Sequence, residues 1–291
     1  MGASSSYDRS TEDVGNMVGM EHVNTRVPDQ VVATDFYITG MGFTRDPYMN
    51  VGTNNMWVNV GNQQFHLPTG EPQVLRGHVG VVVPSLDELA ERLDQVRGRL
   101  SGTAFTFERV DGYLDVTQPW GNVLRCFASG PQFRTTLGLP YVEFTVPRGT
   151  AAGVARFYQQ ALLAQATLGD GKDGPCARVS AGPGQWLLFR ESDAPQAPYD
   201  QHHIAIYISE FGRPHRWLSE RGLVVEESSQ YQFRFQDLVD PDSSSGDVLF
   251  TVEHEVRSLT HPMFRRPLVN RNPAQMLNTY VAGRDGFYPE G

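Results

Sequence analysis

The feature that most constrains this chain is a repeat. The run His22-Val23-Asn24-Thr25-Arg26-Val27-Pro28 alternates like a strand. It returns as Tyr141-Val142-Glu143-Phe144-Thr145-Val146-Pro147, with the same length and the same closing Val-Pro. The helical stretch after each copy carries an aromatic pair, Phe36-Tyr37 in the first and Phe157-Tyr158 in the second. A second run, His78-Val79-Gly80-Val81-Val82-Val83, returns as His203-Ile204-Ala205-Ile206-Tyr207-Ile208. Each run is followed by a helical pattern and then by further short strands. One such unit cannot bury its apolar face alone, so a fourfold repeat of it fixes the fold class before any single element does.

Local signals place the elements. Ser85 stands as N-cap ahead of a leucine-spaced helix through Leu93, with Glu88 three residues on as in a capping box. Asp29 caps a helix from Gln30 to about Thr39, which Gly40 and Gly42 end. The first unit then predicts strands over 48–51, 55–60 and 63–67, and the second over 105–110, 113–117 and 122–127. Asp111-Gly112 supplies a hairpin turn in the second unit. The third unit predicts strands near 177–180 and 185–189, the fourth near 231–238 and 248–253. Residues 130–138 link the halves. Residues 1–18 read as a loose tail, and 256–291 as an extended arm docked on the body or on a partner subunit, which leaves a homodimer open.

Composition narrows the function classes. With 291 residues and 40% hydrophobic content, the chain can bury a sizeable core. Its net charge of -9 argues against nucleic acid or an anionic membrane as partner. Cys126 and Cys176 are too few for a disulfide framework and read as reduced core thiols, the pattern of a cytoplasmic protein. No apolar run is long enough to span a bilayer.

The paired motifs resemble the vicinal oxygen chelate superfamily, which includes glyoxalases, extradiol dioxygenases and bleomycin-resistance proteins. The pieces that carry the likeness are His22-Val23 with Phe36-Tyr37, and His78-Val79 with Ser85-Leu86-Asp87. Gln118-Pro119-Trp120-Gly121-Asn122 is similar to the family's Asp-Pro-x-Gly-Asn turn, and the likeness covers most of residues 20–255. It implies an α+β fold of four βαβββ units forming two cupped half-barrel domains, 20–130 and 139–255.

The same resemblance implies ligand positions on the opening and closing strands of paired units. In the first half these read His22, His66, His78 and Arg125; in the second, Tyr141, Leu187, His203 and Phe250. The expected site is therefore a divalent metal (Fe(II), Zn, Ni or Mn) held by His22, His66 and His78 in the first cup, with a degenerate second half. Arg125 replaces the family's glutamate and cannot bind a metal. It is expected instead to receive a substrate carboxylate, a catalytic and substrate-binding role, with Trp57 and Tyr113 as substrate-binding residues on the cavity wall. Aromatics in strands usually just pack, and a lone strand-mouth histidine is more often a hydrogen-bonded core residue than a ligand. Glu143 and Glu253 fall out of phase with the inward face unless a bulge shifts them, for which the insertion Asp242-Ser243-Ser244-Ser245-Gly246 leaves room. Glu253 and Glu255 share one strand face while His254 takes the other, and pairing with Arg257, Arg265 or Arg266 gives the glutamates a structural role. Two functions fit: a metal-dependent dioxygenase or glyoxalase-like enzyme for a small substrate with vicinal oxygens, or a metal-free protein that binds an aromatic or antibiotic ligand.

Overall fold

The computed structural model describes residues 7–46, 54–171, 174–266 and 268. The first unit opens on β1 (Met17–Asn24). Asp29 then caps α1 (Gln30–Ala33), its Oδ1 accepting from the backbone N–H groups of Val31 at 2.7 Å and Val32 at 3.1 Å. Past Ala33 the helix loosens into a π-helical turn, Thr34–Gly40, that seats Phe36 and Tyr37 fully in the core. β2 (Thr44–Arg45), β3 (Asn55–Val60) and β4 (Gln63–Pro68) complete the unit. The strand expected over 48–51 lies outside the described residues.

The second unit is β5 (Gly77–Val83), α2 (Leu86–Val96), β6 (Thr106–Val110), β7 (Tyr113–Thr117) and β8 (Val123–Ala128). Ser85 caps α2 as its sequence implies, with Oγ accepting from Glu88 N–H at 3.2 Å, and the helix buries Leu89, Leu93 and Val96. The third unit runs β9 (Gly138–Pro147), α3 (Ala151–Ala161), β10 (Ala166–Gly171), β11 (Gly174–Gly182) and β12 (Gln185–Ser192). The fourth runs β13 (His203–Ile208), α4 (Gly212–Ser219), β14 (Val224–Ser229), β15 (Gln232–Val239) and β16 (Val248–Ser258). β2, β10 and β14 have no counterpart in the pattern read from sequence; β14 is almost wholly exposed, so it lacks the apolar alternation that marks a strand.

The units pair in an order the chain halves do not suggest. One eight-stranded sheet reads β14-β15-β16-β13-β1-β4-β3-β2, and the other β10-β11-β12-β9-β5-β8-β7-β6. The first sheet thus joins the first unit to the fourth, and the second joins the second unit to the third. The expected cups, one from 20–130 and one from 139–255, are replaced by two sheets that each draw on both halves. Antiparallel seams close them, β1 against β13 and β5 against β9. The second seam is very close: Gly77 has φ +146°, and a Cβ there would fall 1.8 Å from the Glu143 carbonyl oxygen, so only glycine fits. The helices tie the sheets together, since the π turn packs on α2 and a single apolar core runs from Met17 to Val256. Residues 7–16 are not a loose tail. Asn16 donates to the carbonyls of Leu162 at 2.9 Å and Glu210 at 3.0 Å, and Arg134 pairs with Glu12.

His254 shows what the core asks of a polar side chain. It lies 0% exposed on the apolar face of β16 and stacks on Phe235 at 4.3 Å. Its Nδ1–H donates to Val252 O at 2.8 Å, and its Nε2 accepts from Tyr158 Oη at 2.6 Å. Both ring nitrogens are satisfied only in the neutral form, and burial pushes the imidazole down from 6.5 to about 3. Above pH 6.5 it is neutral folded or unfolded and contributes nothing to pH dependence. Below 6.5 the unfolded chain takes up a proton that the folded chain refuses, so stability falls as pH drops toward 3. At pH 5 the loss from this group alone is about 2 kcal/mol, one and a half units at about 1.4 kcal/mol each. Urea unfolding of the chelator-treated protein at pH 7 and pH 5 checks it; equal stabilities would contradict it.

Candidate metal centre

The centre is built on the seam of the first sheet. β1 lies between β13 and β4, with Asn24 opposite both His203 and His66. His22 is two residues from Asn24, so strand alternation puts all three histidines on one face. Their ligand nitrogens lie within 4.8 Å of one another, the one group of three or more such side chains to do so among the described residues. His22 is fully buried, His203 nearly so, and His66 partly. The Nε2 atoms of His22, His66 and His203 are all buried and have no hydrogen-bond partner. A buried nitrogen without a partner is costly, and three converging on one space is a cost that a bound cation would remove.

The other ring nitrogens of His22 and His203 are held. Glu21 Oε2 lies 3.0 Å from His22 Nδ1, and Glu253 Oε1 lies 3.3 Å from His203 Nδ1. A carboxylate accepting from Nδ1–H fixes the tautomer that leaves the Nε2 lone pair free. His66 stacks on Trp57 at 3.9 Å, and Trp57 also meets the edge of His22 at 4.9 Å, so the indole walls the centre from one side. Burial, then the neighbouring imidazoles, holds His66 and His203 well below the usual histidine range. They are neutral donors.

Strand register supplies the fourth corner. His203 pairs with Glu253 and Ala205 with Glu255, so both glutamates share the histidine face. Glu255 Oε2 lies 3.5 Å from His203 Nε2. Burial alone would raise the Glu255 carboxyl, but the guanidiniums of Arg257 and Arg234 beside it hold it well below the usual carboxylate range, so it is an anion. Arg234 bonds Glu253 and Glu255, while Arg257 bonds Glu255 and Glu21. Glu21, Glu253 and Glu255 outnumber the guanidiniums of Arg234 and Arg257 around the histidines. A cation is favoured there.

His78 and Arg125 are elsewhere. Both belong to the second sheet, where His78 pairs with Val123 and Gly80 with Arg125. His78 Nε2 lies 3.1 Å from Tyr141 Oη, and the Tyr141 ring lies across Gly80, where a Cβ would sit 2.3 Å from Cε1. Tyr141 fills the middle of that sheet. Arg125 bonds Asp115 at 3.1 Å and lies 4.8 Å over the Tyr113 ring. Of the expected site residues, then, His22, His66 and Trp57 come together, and His78, Arg125 and Tyr113 do not join them. His203 takes the place expected for His78. Glu255, not Phe250, stands where Arg125 stands in the other sheet; Phe250 is buried against Phe144 and Phe189.

No family model matches the sequence, and no curated protein matches it. Solved structures do match. Glyoxalase I from Zea mays is 16% identical with a TM-score of 0.56, over 87% of this chain and 95% of its own. A presumed dioxygenase from Bacillus subtilis subsp. subtilis str. 168 is 15% identical with a TM-score of 0.54, over 84% of this chain and 86% of its own. Identities this low speak for backbone architecture and not for activity. With four strand–helix–strand units closed into two eight-stranded sheets, the chain shares the α+β fold of these two solved structures.

Proposed function

We propose that the chain is a divalent-metal-dependent enzyme acting on a small molecule with two adjacent oxygens, and that His22, His66, His203 and Glu255 hold the metal. The observation that carries this is the convergence of three partnerless Nε2 atoms beside an ionised glutamate. Three imidazoles and one carboxylate suit zinc, iron, nickel or manganese. Such an ion, when bound, acts as a Lewis acid toward substrate oxygens.

The chain's own residues prepare the centre. Glu21 and Glu253 orient the imidazoles, and Tyr207 Oη donates to Glu21 Oε1 at 2.6 Å, which keeps Glu21 in place. Trp57 keeps water off one side. Four side-chain donors leave little room for further ligands, which favours a redox-neutral, glyoxalase-like isomerase or lyase over an enzyme that must seat both substrate and O2. No described helix is long and apolar enough to cross a membrane. The partner of such a centre is a small-molecule substrate.

The test uses acetohydroxamate, a small probe with two adjacent oxygens. Chelator-stripped protein should not bind it; protein reloaded with Zn2+ or Ni2+ should bind one molecule per chain in a calorimetric titration. Equal binding with and without metal would favour the metal-free ligand-binding protein and sink the enzyme.

A further inference from the structure

The second sheet carries a cavity of ≈ 770 Å³ that the metal centre does not use. Its volume falls in the range of small-molecule pockets, about 300–1000 Å³. Tyr141, Trp186 and Phe133 give it aromatic walls, and Arg178, Arg190 and Arg134 give it charge. Two of these arginines are already committed. Arg190 forks onto both oxygens of Glu143 at 3.0 and 3.1 Å, and Arg134 onto both oxygens of Glu12 at 3.2 and 3.1 Å.

Arg178 differs from both. Its guanidinium lies 3.6 Å over the Trp186 ring and forms no ion pair among the described residues. The acids of the lining, Glu12, Asp13 and Asp170, are solvent-exposed, and none bonds to it. A guanidinium seated over an indole and free of ion pairs keeps its planar fork of N–H donors for a carboxylate. A carboxylate seated there has the aromatic side chains of Tyr141 and Phe133, with the part of Trp186 that Arg178 leaves uncovered, in the same cavity for an apolar ring.

We propose that this cavity is a second binding site, independent of the metal centre, for a planar aromatic carboxylate, with Arg178 receiving the carboxylate and Tyr141, Trp186 and Phe133 the ring. The site needs no metal, because Tyr141 fills the place on the second sheet that corresponds to the histidine cluster of the first.

The experiment titrates 2-naphthoate, and its neutral amide as a charge control, into full-length protein by calorimetry. Wild type should bind one naphthoate per chain. Arg178→Gln should weaken it by at least about tenfold, with Arg178→Lys in between, while the weak binding of the amide stays equal in all three. His22→Ala should leave naphthoate binding unchanged. Absence of saturable binding to wild type, or equal affinity in wild type and Arg178→Gln, would overturn the proposal. Loss in His22→Ala with retention in Arg178→Gln would also overturn it, by moving the anion to the metal centre. Unchanged amide binding and an unchanged melting temperature in Arg178→Gln separate a lost contact from a lost fold.

Discussion

Replacing Arg257 with glutamine is expected to destabilise the protein by about 3–5 kcal/mol, the cost of leaving buried charge unpaired. Arg257 is 4% exposed and reaches four acceptors from one guanidinium, Tyr207 Oη at 3.3 Å among them. Nη1 bonds Glu21, Nη2 bonds Glu255, and Nε donates to Gln232 Oε1 at 3.0 Å. Burial works against charge on Glu21 and Glu255, and Arg257 is the main group that keeps each ionised. Without it, two carboxylates remain in a dry seam and must either stay charged at high cost or take up protons. Urea unfolding of the metal-free variant beside wild type measures the loss. A second substitution, Glu21→Gln, should restore part of it, because it removes one of the stranded charges. A loss below about 1 kcal/mol would mean that solvent reaches the cluster and that the ion pairs count for little.

Most of the local structure was legible in the sequence. Asp29 and Ser85 cap where their side-chain chemistry says they must, and Tyr113–Thr117 pairs across Asp111-Gly112 as the alternation requires. Phe36-Tyr37 and Phe157-Tyr158 are buried in both copies of the repeat. The π-helical turn that carries the first pair was not legible, since its hydrophobic spacing differs little from that of an α-helix.

The pairing of units was not legible either, and this decided the site. His78 and His203 open strands of the same kind in the second and fourth units, and either could lie beside His22 without changing one residue of the pattern. Only the seam between β1 and β13 settles it for His203. Glu255 was hidden by phase. Counting back from the second unit leads to Phe250, and the extra residues around Asp242–Gly246 move the equivalent position five places on, to Glu255. That Glu253 and Glu255 share one face was readable from alternation alone, and so was the opposite placement of His254.

The centre's membership is open to one direct measurement. Wild type, His203→Ala and His78→Ala are stripped with chelator, reloaded with Zn2+, desalted and assayed for metal per chain by elemental analysis. In the proposed centre His203 supplies one of four donors, and its removal also leaves Glu253 and Glu255 without their imidazole partner, so the loss in affinity should be large. Wild type and His78→Ala should each retain about one ion per chain, and His203→Ala close to none. Metal retained in His203→Ala and lost in His78→Ala would contradict the centre described here and return it to the second sheet.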